Sequence, residues 1–587
     1  MIYKAKLQKK WHGILEDLRF RLARPDALLH LAILGLITGF FAGGAIVLFR
    51  VLVEGTQDYL LPGNSADNYE ALDLVSRFFY PVISGILLAL LFYKGAKGIR
   101  VLGITRVIER MAYHQGYLTL RGFLMQFFGA AIAIIGGHSV GREGPHVYLG
   151  AASGSLFGQI LNLPNNSIRT LAASGAAAGI AASFNTPLAG VVFSLEVIMM
   201  EYTLGSFIPV MLAAVAATGL SNAVLGSDPA FNIPDFEFTS FAELPILILL
   251  GLVVGSGAAL FNHTLAVIAK KAQGIEIWWR VIIAGFIVAL IGLVFPEVLG
   301  IGYDSVNRTL LSGFSMTALA TLCLAKLMAT SVSIGLGVPG GMIGPAFFIG
   351  ATIGGIIGYI ASYFFGFDLS HVGFYALLGM GAMMGASLQA PLAALTAIME
   401  LTYNPGIIMP GMLTIVIAQL TASEVFNKQS LFISMLRSNG LDYDTSPVMQ
   451  VLRRVGIGSV IDTNIERISE ELSLEEALEL IKNKGLNWLI LDDEEDVPKM
   501  LMPISELAKF LQSEELPESL DLLEIPANRL QLSPISLRSN LQQAHEKLIK
   551  GEEAFYVVYD EKQPNKNTKI YGVLTEMMIE GAYKPKR

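Results

Sequence analysis

The most informative charged residue in this sequence is a single glutamate at the start of an apolar run. Glu143 lies within Gly141-Arg142-Glu143-Gly144-Pro145, which opens that run. A helix that begins there exposes unpaired backbone N–H groups in its first turn, where the helix dipole places about half a positive charge. Glycine permits close approach of a ligand, and proline is tolerated in a first turn. The pattern predicts an anion site at a helix N-terminus, with a carboxylate beside it.

The same arrangement occurs again 200 residues further along, where Gly341-Met342-Ile343-Gly344-Pro345 also opens an apolar run. Seven of eighteen positions are identical between residues 141–158 and 341–358. At an offset of 204, residues 185–189 resemble 389–393, and Glu196 falls on Glu400. Small residues could coincide by chance in one block. Two blocks in order, at nearly equal offsets, favour an internal duplication.

Repeated halves with short segments interrupted by glycine and proline are typical of transporters whose substrate site lies between the halves. Two interrupted helix ends that meet near the middle of the membrane would form an anion site without a fixed cation. Backbone that leaves the helix inside a bilayer needs protein or water as its partner, so these breaks should line a cavity.

The composition places most of the chain in a membrane. Of 587 residues, 53% are hydrophobic and 15% are charged, against about 25% charged in soluble proteins. A spanning helix needs about 20 apolar residues, and full or nearly full candidates lie at 28–53, 79–93, 246–268, 281–299 and 316–334. Further apolar runs between residues 123 and 422 are short and broken. We expect an all-α polytopic core over residues 28–440, with repeat halves at about 28–228 and 240–425.

Charge distribution separates a tail from this core and indicates the topology. Residues 446–587 hold 17 Lys and Arg against 25 Asp and Glu, which equals the chain's net charge of −8. Such acidity argues against nucleic acid as a partner. The basic leader, residues 1–27, predicts a cytoplasmic N-terminus, and we expect a multi-pass protein of the cell membrane with both termini cytoplasmic. Cys323, the single cysteine, excludes an intramolecular disulfide and a cysteine-based metal cluster.

At this point the sequence resembles the CLC family of chloride channels and chloride/proton exchangers. The similarity rests on the motif at 141–145, on the downstream Phe184-Asn-Thr-Pro-Leu-Ala-Gly190, and on the duplicated core around them. It implies a homodimer in the lipid bilayer, in which each subunit has its own pore for chloride or a related small anion. It also implies that Glu143 is the outer gate, whose carboxylate occupies an anion site and moves aside when protonated or displaced.

Two alternatives stay open at this motif. Glu143 could be a surface residue paired with Arg142. Arg142 itself could bind backbone carbonyls or add positive potential to the anion route.

The chain departs from the family pattern where the central anion binds. The segment whose serine contacts that anion corresponds to Val101-Leu102-Gly103-Ile104-Thr105, so Leu102 removes one hydroxyl, and Phe432 replaces the central tyrosine. Each hydrogen bond to a charged ligand contributes about 1.5–3 kcal/mol, so central binding should be weak and poorly selective. The predicted backbone and pore-lining contacts are Gly141, Arg142, Gly144, Gly103, Ile104, Met342, Ile343 and Gly344, with Ile343 replacing the family's phenylalanine.

Proton coupling is less expected than in many exchangers of the family. Val197 occupies the position where they carry an inner proton glutamate, and the neighbouring Glu196 is interpreted as a structural pairing. We therefore favour an uncoupled or weakly coupled channel, with a chloride/proton antiporter as the main alternative.

Two further classes fit the sequence less well. A cation transporter, for example for magnesium, would need clustered carboxylates along its pore. An enzyme would need a nucleophile–base pair or a metal motif, and His114, His138 and His146 lack ligand spacing.

The tail at 446–587 is predicted to be an α/β domain. Helix 473–484, strands 487–491 and 500–504 and helix 505–511 are followed by the same order at 541–550, 554–559, 569–574 and 575–582. This order resembles a pair of CBS domains, which often bind adenine nucleotides. The usual ribose-binding aspartate is replaced by Ala508 and Met578, so nucleotide binding is doubtful and no cofactor is predicted.

Overall fold

The computed structural model divides the chain into two compact units. One comprises Leu31–Gln159 with Arg169–Tyr443, and the other comprises Asp444–Arg587 with Ile160–Ile168 and N-terminal residues up to His30. The predicted basic leader lies almost wholly outside the described residues. The structure describes residues 19, 22, 27–63, 66–95, 102–227, 231, 243–365, 371–441, 447–483, 485–492, 497–512, 517, 519–559 and 569–583.

Among the described residues, eight α-helices form the first half of the membrane core. They are α1 Leu28–Leu60, α2 Leu74–Gly95, α3 Ile104–Tyr113, α4 Leu120–Ile135, α5 Glu143–Ile160, α6 Asn165–Phe184, α7 Pro187–Phe193 and α8 Leu204–Leu225.

Nine α-helices of the described chain form the second half. They are α9 Leu244–Lys271, α10 Ile277–Val294, α11 Tyr303–Leu310, α12 Met316–Gly335, α13 Ile343–Phe365, α14 His371–Leu388, α15 Pro391–Thr402, α16 Ile408–Leu420 and α17 Leu431–Ser438.

Within the described residues, nine helices are long and apolar enough to cross a membrane. The five predicted spans are present, but the one expected to reach Leu299 ends at Val294, because Pro296 follows and cannot continue the helix. The expectation of only short, broken runs further along was partly wrong, since α13 and α14 have full length. The chain is a multi-pass, mainly helical membrane protein.

The predicted duplication appears as repeated element boundaries and reciprocal contacts. Helices α5 and α13 begin at Glu143 and Ile343, 200 residues apart. The loops before them pair directly: Gly141 N–H donates to the Gly341 carbonyl over 2.8 Å, and Gly341 N–H donates to the Gly141 carbonyl over 2.6 Å. These two hydrogen bonds relate the halves by a local two-fold arrangement.

A second reciprocal contact involves the paired glutamates. The Glu196 carboxylate accepts from Leu392 and Ala393 N–H at 3.3 and 2.8 Å, in the first turn of α15. The Glu400 carboxylate accepts from the first turn of α7, from Leu188 and Ala189 N–H at 2.9 and 2.7 Å. Each glutamate therefore stabilises the positive end of the other half's helix, as the structural interpretation of Glu196 predicts.

Glycines let the long helices of each half approach closely. Helices α5 and α6 cross at Gly150 and Gly175, where a Cβ on Gly175 would lie 1.9 Å from the Gly150 carbonyl oxygen. Helices α13 and α14 cross at Gly350 and Gly379, where a Cβ on Gly379 would lie 2.2 Å from the Gly350 oxygen. Small residues allow this backbone contact between membrane helices.

The smaller unit contains an α/β domain. Its helices are α18 Pro447–Arg454, α19 Leu474–Lys482, α20 Ile504–Phe510, α21 Leu541–Ile549 and α22 Glu576–Tyr583. Its strands are β1 Ile465–Ile468, β2 Glu471–Ser473, β3 Trp488–Asp492, β4 Pro498–Pro503, β5 Ser519–Asp521, β6 Leu530–Ser536, β7 Ala554–Val558 and β8 Gly572–Thr575.

The main sheet of this domain repeats one pattern. Its strand order is β1-β3-β4-β6-β7-β8, and β2 pairs with β5 separately. A parallel pair followed by an antiparallel pair occurs in β1-β3-β4 and again in β6-β7-β8. The predicted alternation of helices and strands is present in both copies, with boundaries mostly within two or three residues.

Substitution at a helix crossing should destabilise the membrane unit. Gly175→Ala places a methyl group against backbone, and overpacking of this kind costs about 1–3 kcal/mol. We expect a lower melting temperature in detergent. Fluorescence-detected size exclusion after heating measures it. Gly219→Ala is the matched control, because a Cβ there meets nothing within 4 Å. Equal melting temperatures for the two variants would contradict the close crossing.

Candidate functional site

The site forms where the two paired loops bring the starts of α5 and α13 together. Gly144 lies so close to the opposite loop that a Cβ on it would be 2.6 Å from the Gly340 carbonyl oxygen and 2.8 Å from Gly341 Cα. Glycine is therefore required here on steric grounds. Gly141 and Gly144 of the first motif therefore meet Gly341 of the second motif, which lies about 200 residues further along the chain.

Glu143 places its carboxylate at the N-terminus of α13. The residue is completely buried, so the alternative of a surface glutamate is wrong. Its Oε2 accepts a hydrogen bond from Gly344 N–H at 3.1 Å, and its Oε1 accepts one from the Tyr303 hydroxyl. The carboxylate thus occupies the position at a helix end that would suit a small anion.

Arg142 is held by a partner from α1. Its guanidinium donates to Glu54 over 2.7 Å and lies 3.5 Å from the Ser183 carbonyl. Arg50 binds the same Glu54 carboxylate at 3.0 Å. The Arg142 guanidinium also lies over the ring of Tyr303, 5.1 Å from its centroid. Arg142 therefore has a structural pairing and still contributes positive potential next to Glu143.

A cavity of about 70 Å³ adjoins the paired loops, with Gly144, Gly340 and Gly341 in its lining. Phe432 is completely buried and Leu102 partly buried, and both side chains line the wall without a hydroxyl. Thr105 lines the same cavity. Its hydroxyl was not among the predicted anion contacts. The predicted site residues that meet here are Leu102, Ile104, Gly144, Met342 and Phe432.

Other predicted residues have different environments. Gly103 N–H donates to the Gln126 side chain at 2.7 Å, and Gly141 N–H donates to Gly341. Neither N–H is a free donor for an anion, although both glycines were predicted as backbone or pore-lining contacts. Ile343 lines a smaller, separate cavity beside Phe184.

Two residues at the candidate site have no obvious signal in the sequence. Arg280 lines the 70 Å³ cavity, and its guanidinium donates to the Ile275 and Gln273 carbonyls at 2.6 and 3.0 Å. Its guanidinium is a cation on the cavity wall, and the residue follows two tryptophans at the start of an apolar helix. Tyr303 reaches Glu143 from α11, outside both repeated blocks, so no motif singles it out.

Val197 is the residue at the position where the family resemblance predicts an inner glutamate. Val197 is buried in the hydrophobic core, within the π-helical turn Ser194–Met199. The adjacent Glu196 caps α15, as described above. The structure therefore assigns this carboxylate to a contact between the two halves.

Comparison with known proteins agrees with this architecture. Residues 81–423 match the family described as voltage gated chloride channel. A ClcB-like chloride channel protein from Ralstonia nicotianae is 31% identical over 404 residues, which cover 67% of this chain and 93% of that protein. The H(+)/Cl(−) exchange transporter ClcA of Vibrio cholerae is 30% identical over 55% of this chain and 72% of its own length. The chain belongs to the CLC family of anion channels and transporters, and these proteins are not enzymes.

Solved structures show the same fold. A slow cyanobacterial Cl−/H+ antiporter aligns with a TM-score of 0.61 and 22% identity, over 70% of this chain and 97% of that one. A eukaryotic CLC transporter aligns with a TM-score of 0.58 and 20% identity, over 93% of this chain and 97% of that one. Its alignment extends well beyond the membrane core.

Restoring the missing hydroxyls should tighten the central anion site. We expect wild-type chloride affinity there to be millimolar or weaker, about −4 kcal/mol or less favourable. Leu102→Ser with Phe432→Tyr should improve the affinity at least tenfold, because each charged hydrogen bond contributes about 1.5–3 kcal/mol. Calorimetric titration of chloride in detergent measures this.

Leu102→Ala is the control for lost packing, since it removes the side chain without adding a donor. Submillimolar wild-type affinity would show that other groups, Thr105 among them, already complete the central site.

Proposed function

We propose that the protein carries chloride or a related small anion across the membrane through a pore in each subunit, with Glu143 as the gate. The observation that carries this proposal is the buried Glu143 carboxylate, which accepts from Gly344 N–H at the start of α13. A negatively charged side chain there occupies a position that an anion would take.

Gating follows from competition between the Glu143 carboxylate and the permeating anion for the N-terminus of α13. The ionised carboxylate is stabilised by the helix end and its hydrogen-bond donors. Protonation removes its charge and weakens these hydrogen bonds, so the side chain can leave. An anion then reaches the helix end from the outer side and proceeds to the cavity at Leu102 and Phe432.

The residues at positions 196 and 197 favour anion transport with weak or absent proton coupling. A proton that crosses the protein needs groups that can accept it on the way. Val197 supplies none at the inner proton position, and the Glu196 carboxylate is bound to the first turn of α15. We therefore infer an uncoupled or weakly coupled conduit.

Chloride/proton exchange is the second candidate, and the comparisons favour it. The Vibrio cholerae relatives are named H(+)/Cl(−) exchange transporters, and a similar solved structure is a Cl−/H+ antiporter. A proton could cross through water without a carboxylate at Val197. The anion that the protein prefers must be determined as well, because a similar solved structure is a fluoride/proton antiporter.

The proposed organisation has a cytoplasmic leader at 1–27, the transport core at 28–440 and a CBS domain pair at 446–587. The repeated strand pattern of the tail supports a CBS pair. We infer from the basic leader that both termini are cytoplasmic. A homodimer follows from the family resemblance. Ala508 and Met578 argue against tight nucleotide binding, because neither offers a carboxylate for a ribose.

Anion flux and proton movement recorded together in liposomes test the function. Wild-type protein should release chloride with little proton movement, and flux should rise on acidification. Glu143→Gln cannot ionise, so its flux should persist and lose most of its dependence on pH.

Glu297→Gln, which removes a partly buried carboxylate in the turn Pro296–Val298, is the control and should keep the wild-type profile. Unchanged pH dependence in Glu143→Gln would contradict the gate. Stoichiometric proton movement in the wild type would establish the exchanger instead.

A further inference from the structure

A phenol hydroxyl from the second half of the core reaches the gate. The Tyr303 hydroxyl donates to Glu143 Oε1, and Gly344 N–H donates to Oε2 at 3.1 Å. Both carboxylate oxygens are thus bound, one by a side chain and one by backbone. A phenol can donate equally well to a carboxylate or to an anion in its place.

The loop before Tyr303 is fixed from two directions. The Asp67 carboxylate accepts from Ile301, Gly302 and Tyr303 N–H at 2.9, 2.6 and 3.3 Å. The completely buried Lys326 ammonium donates to three carbonyls of the same loop, those of Val298, Gly300 and Ile301, at 3.1, 3.1 and 3.2 Å.

The ring of Tyr303 is held as firmly as its backbone. Its centroid lies 4.9 Å from that of Phe231 and 6.1 Å from that of Phe184. The Arg142 guanidinium covers another part of the ring at 5.1 Å. A donor held in place in this way loses little conformational entropy when it binds a ligand.

We propose that the Tyr303 hydroxyl is a donor of the outer anion site, holding the Glu143 carboxylate when the gate is closed and binding the permeating anion when the carboxylate has left. This inference rests on the proposed gating role of Glu143. It adds a side-chain hydroxyl on the outer side of the pore. In the central cavity, Leu102 and Phe432 replace the serine and tyrosine whose hydroxyls the family uses. Tyr303 would therefore affect both the pH response of the gate and the affinity for anions.

Several other charged or titratable groups face this contact and could affect its pH response. Burial and the charge of Asp67 raise the pKa of Asp304, which follows Tyr303 in α11, to about 7. The pH response must therefore be separated from titration of Asp304. The remaining groups are Arg142 and His146 near Glu143, Arg50 and Glu54 on α1, Asp67 before α2, and Lys326 on α12.

Tyr303→Phe tests the first half of the proposal, because it removes the hydroxyl and keeps the ring under Arg142. A hydrogen bond to an ionised carboxylate favours the ionised form, so its loss favours the protonated form. The pH of half-maximal anion flux in liposomes should therefore move upward, by about one unit. Flux at neutral pH should rise as a result.

Two variants control this measurement. Tyr80→Phe removes a tyrosine hydroxyl that donates to the Leu60 carbonyl at 3.1 Å, and it should leave the profile unchanged. Asp304→Asn removes the neighbouring titratable group. Tyr303→Phe should still shift the profile when it is combined with Asp304→Asn.

Binding in a Glu143→Ala background tests the second half, because there the carboxylate no longer competes with the anion. Adding Tyr303→Phe should weaken bromide binding, measured by calorimetry, about tenfold or more. If the pH profile shifts but bromide affinity does not change, Tyr303 is no anion ligand, and that half of the proposal is overturned.

The two proposals fail in different ways. If Glu143→Ala retains the wild-type pH dependence, the gate itself is misassigned. If Glu143→Ala loses it, but Tyr303→Phe changes neither the pH of half-maximal flux nor bromide affinity, the gate stands and the role of Tyr303 is overturned.

Discussion

The pairing of the loops at Gly141 and Gly341 is the contact on which the site depends. Two reciprocal backbone hydrogen bonds, 2.8 and 2.6 Å long, join the halves where α5 and α13 begin. They satisfy polar backbone that has left the helix inside an apolar environment, where an unpaired group would be costly. They also bring two helix N-termini together. Side chains larger than hydrogen at Gly144 would push the loops apart, which explains why glycine occupies this point of the motif.

This contact determines what kind of chemistry the site can perform. Helix ends and backbone N–H groups bind negative charge without a buried cation in direct contact, so an anion can be held and released again. In the proposed function, Glu143 competes with the anion for that position. The nearby positive side chains have other partners: Arg142 is paired with Glu54, and Lys326 is bound to loop carbonyls. Such an arrangement suits passage of anions better than permanent binding.

Much of this was predictable from residue types and spacing, because the motif residues are repeated and their chemistry is local. The duplication, the helix starts at Glu143 and Ile343, and the tail's alternation of strands and helices all follow from sequence patterns. The partners of Glu143 were not predictable. Tyr303 comes from a short helix outside the repeated blocks, and its position depends on Asp67 and Lys326, which are distant in sequence. The hydrogen bond from Gly103 N–H to the Gln126 side chain was not predictable either, because it also joins residues that are distant in sequence.

Anomalous diffraction from crystals soaked in bromide tests most directly whether Glu143 competes with an anion for the end of α13. In wild-type protein at high pH, the carboxylate should exclude bromide from the position beside Gly344 N–H. In Glu143→Ala, a bromide peak should appear there, within hydrogen-bonding distance of that N–H. Bromide bound beside Gly344 in the wild type with the carboxylate in place, or absent from this position in the variant at saturating bromide, would contradict the account.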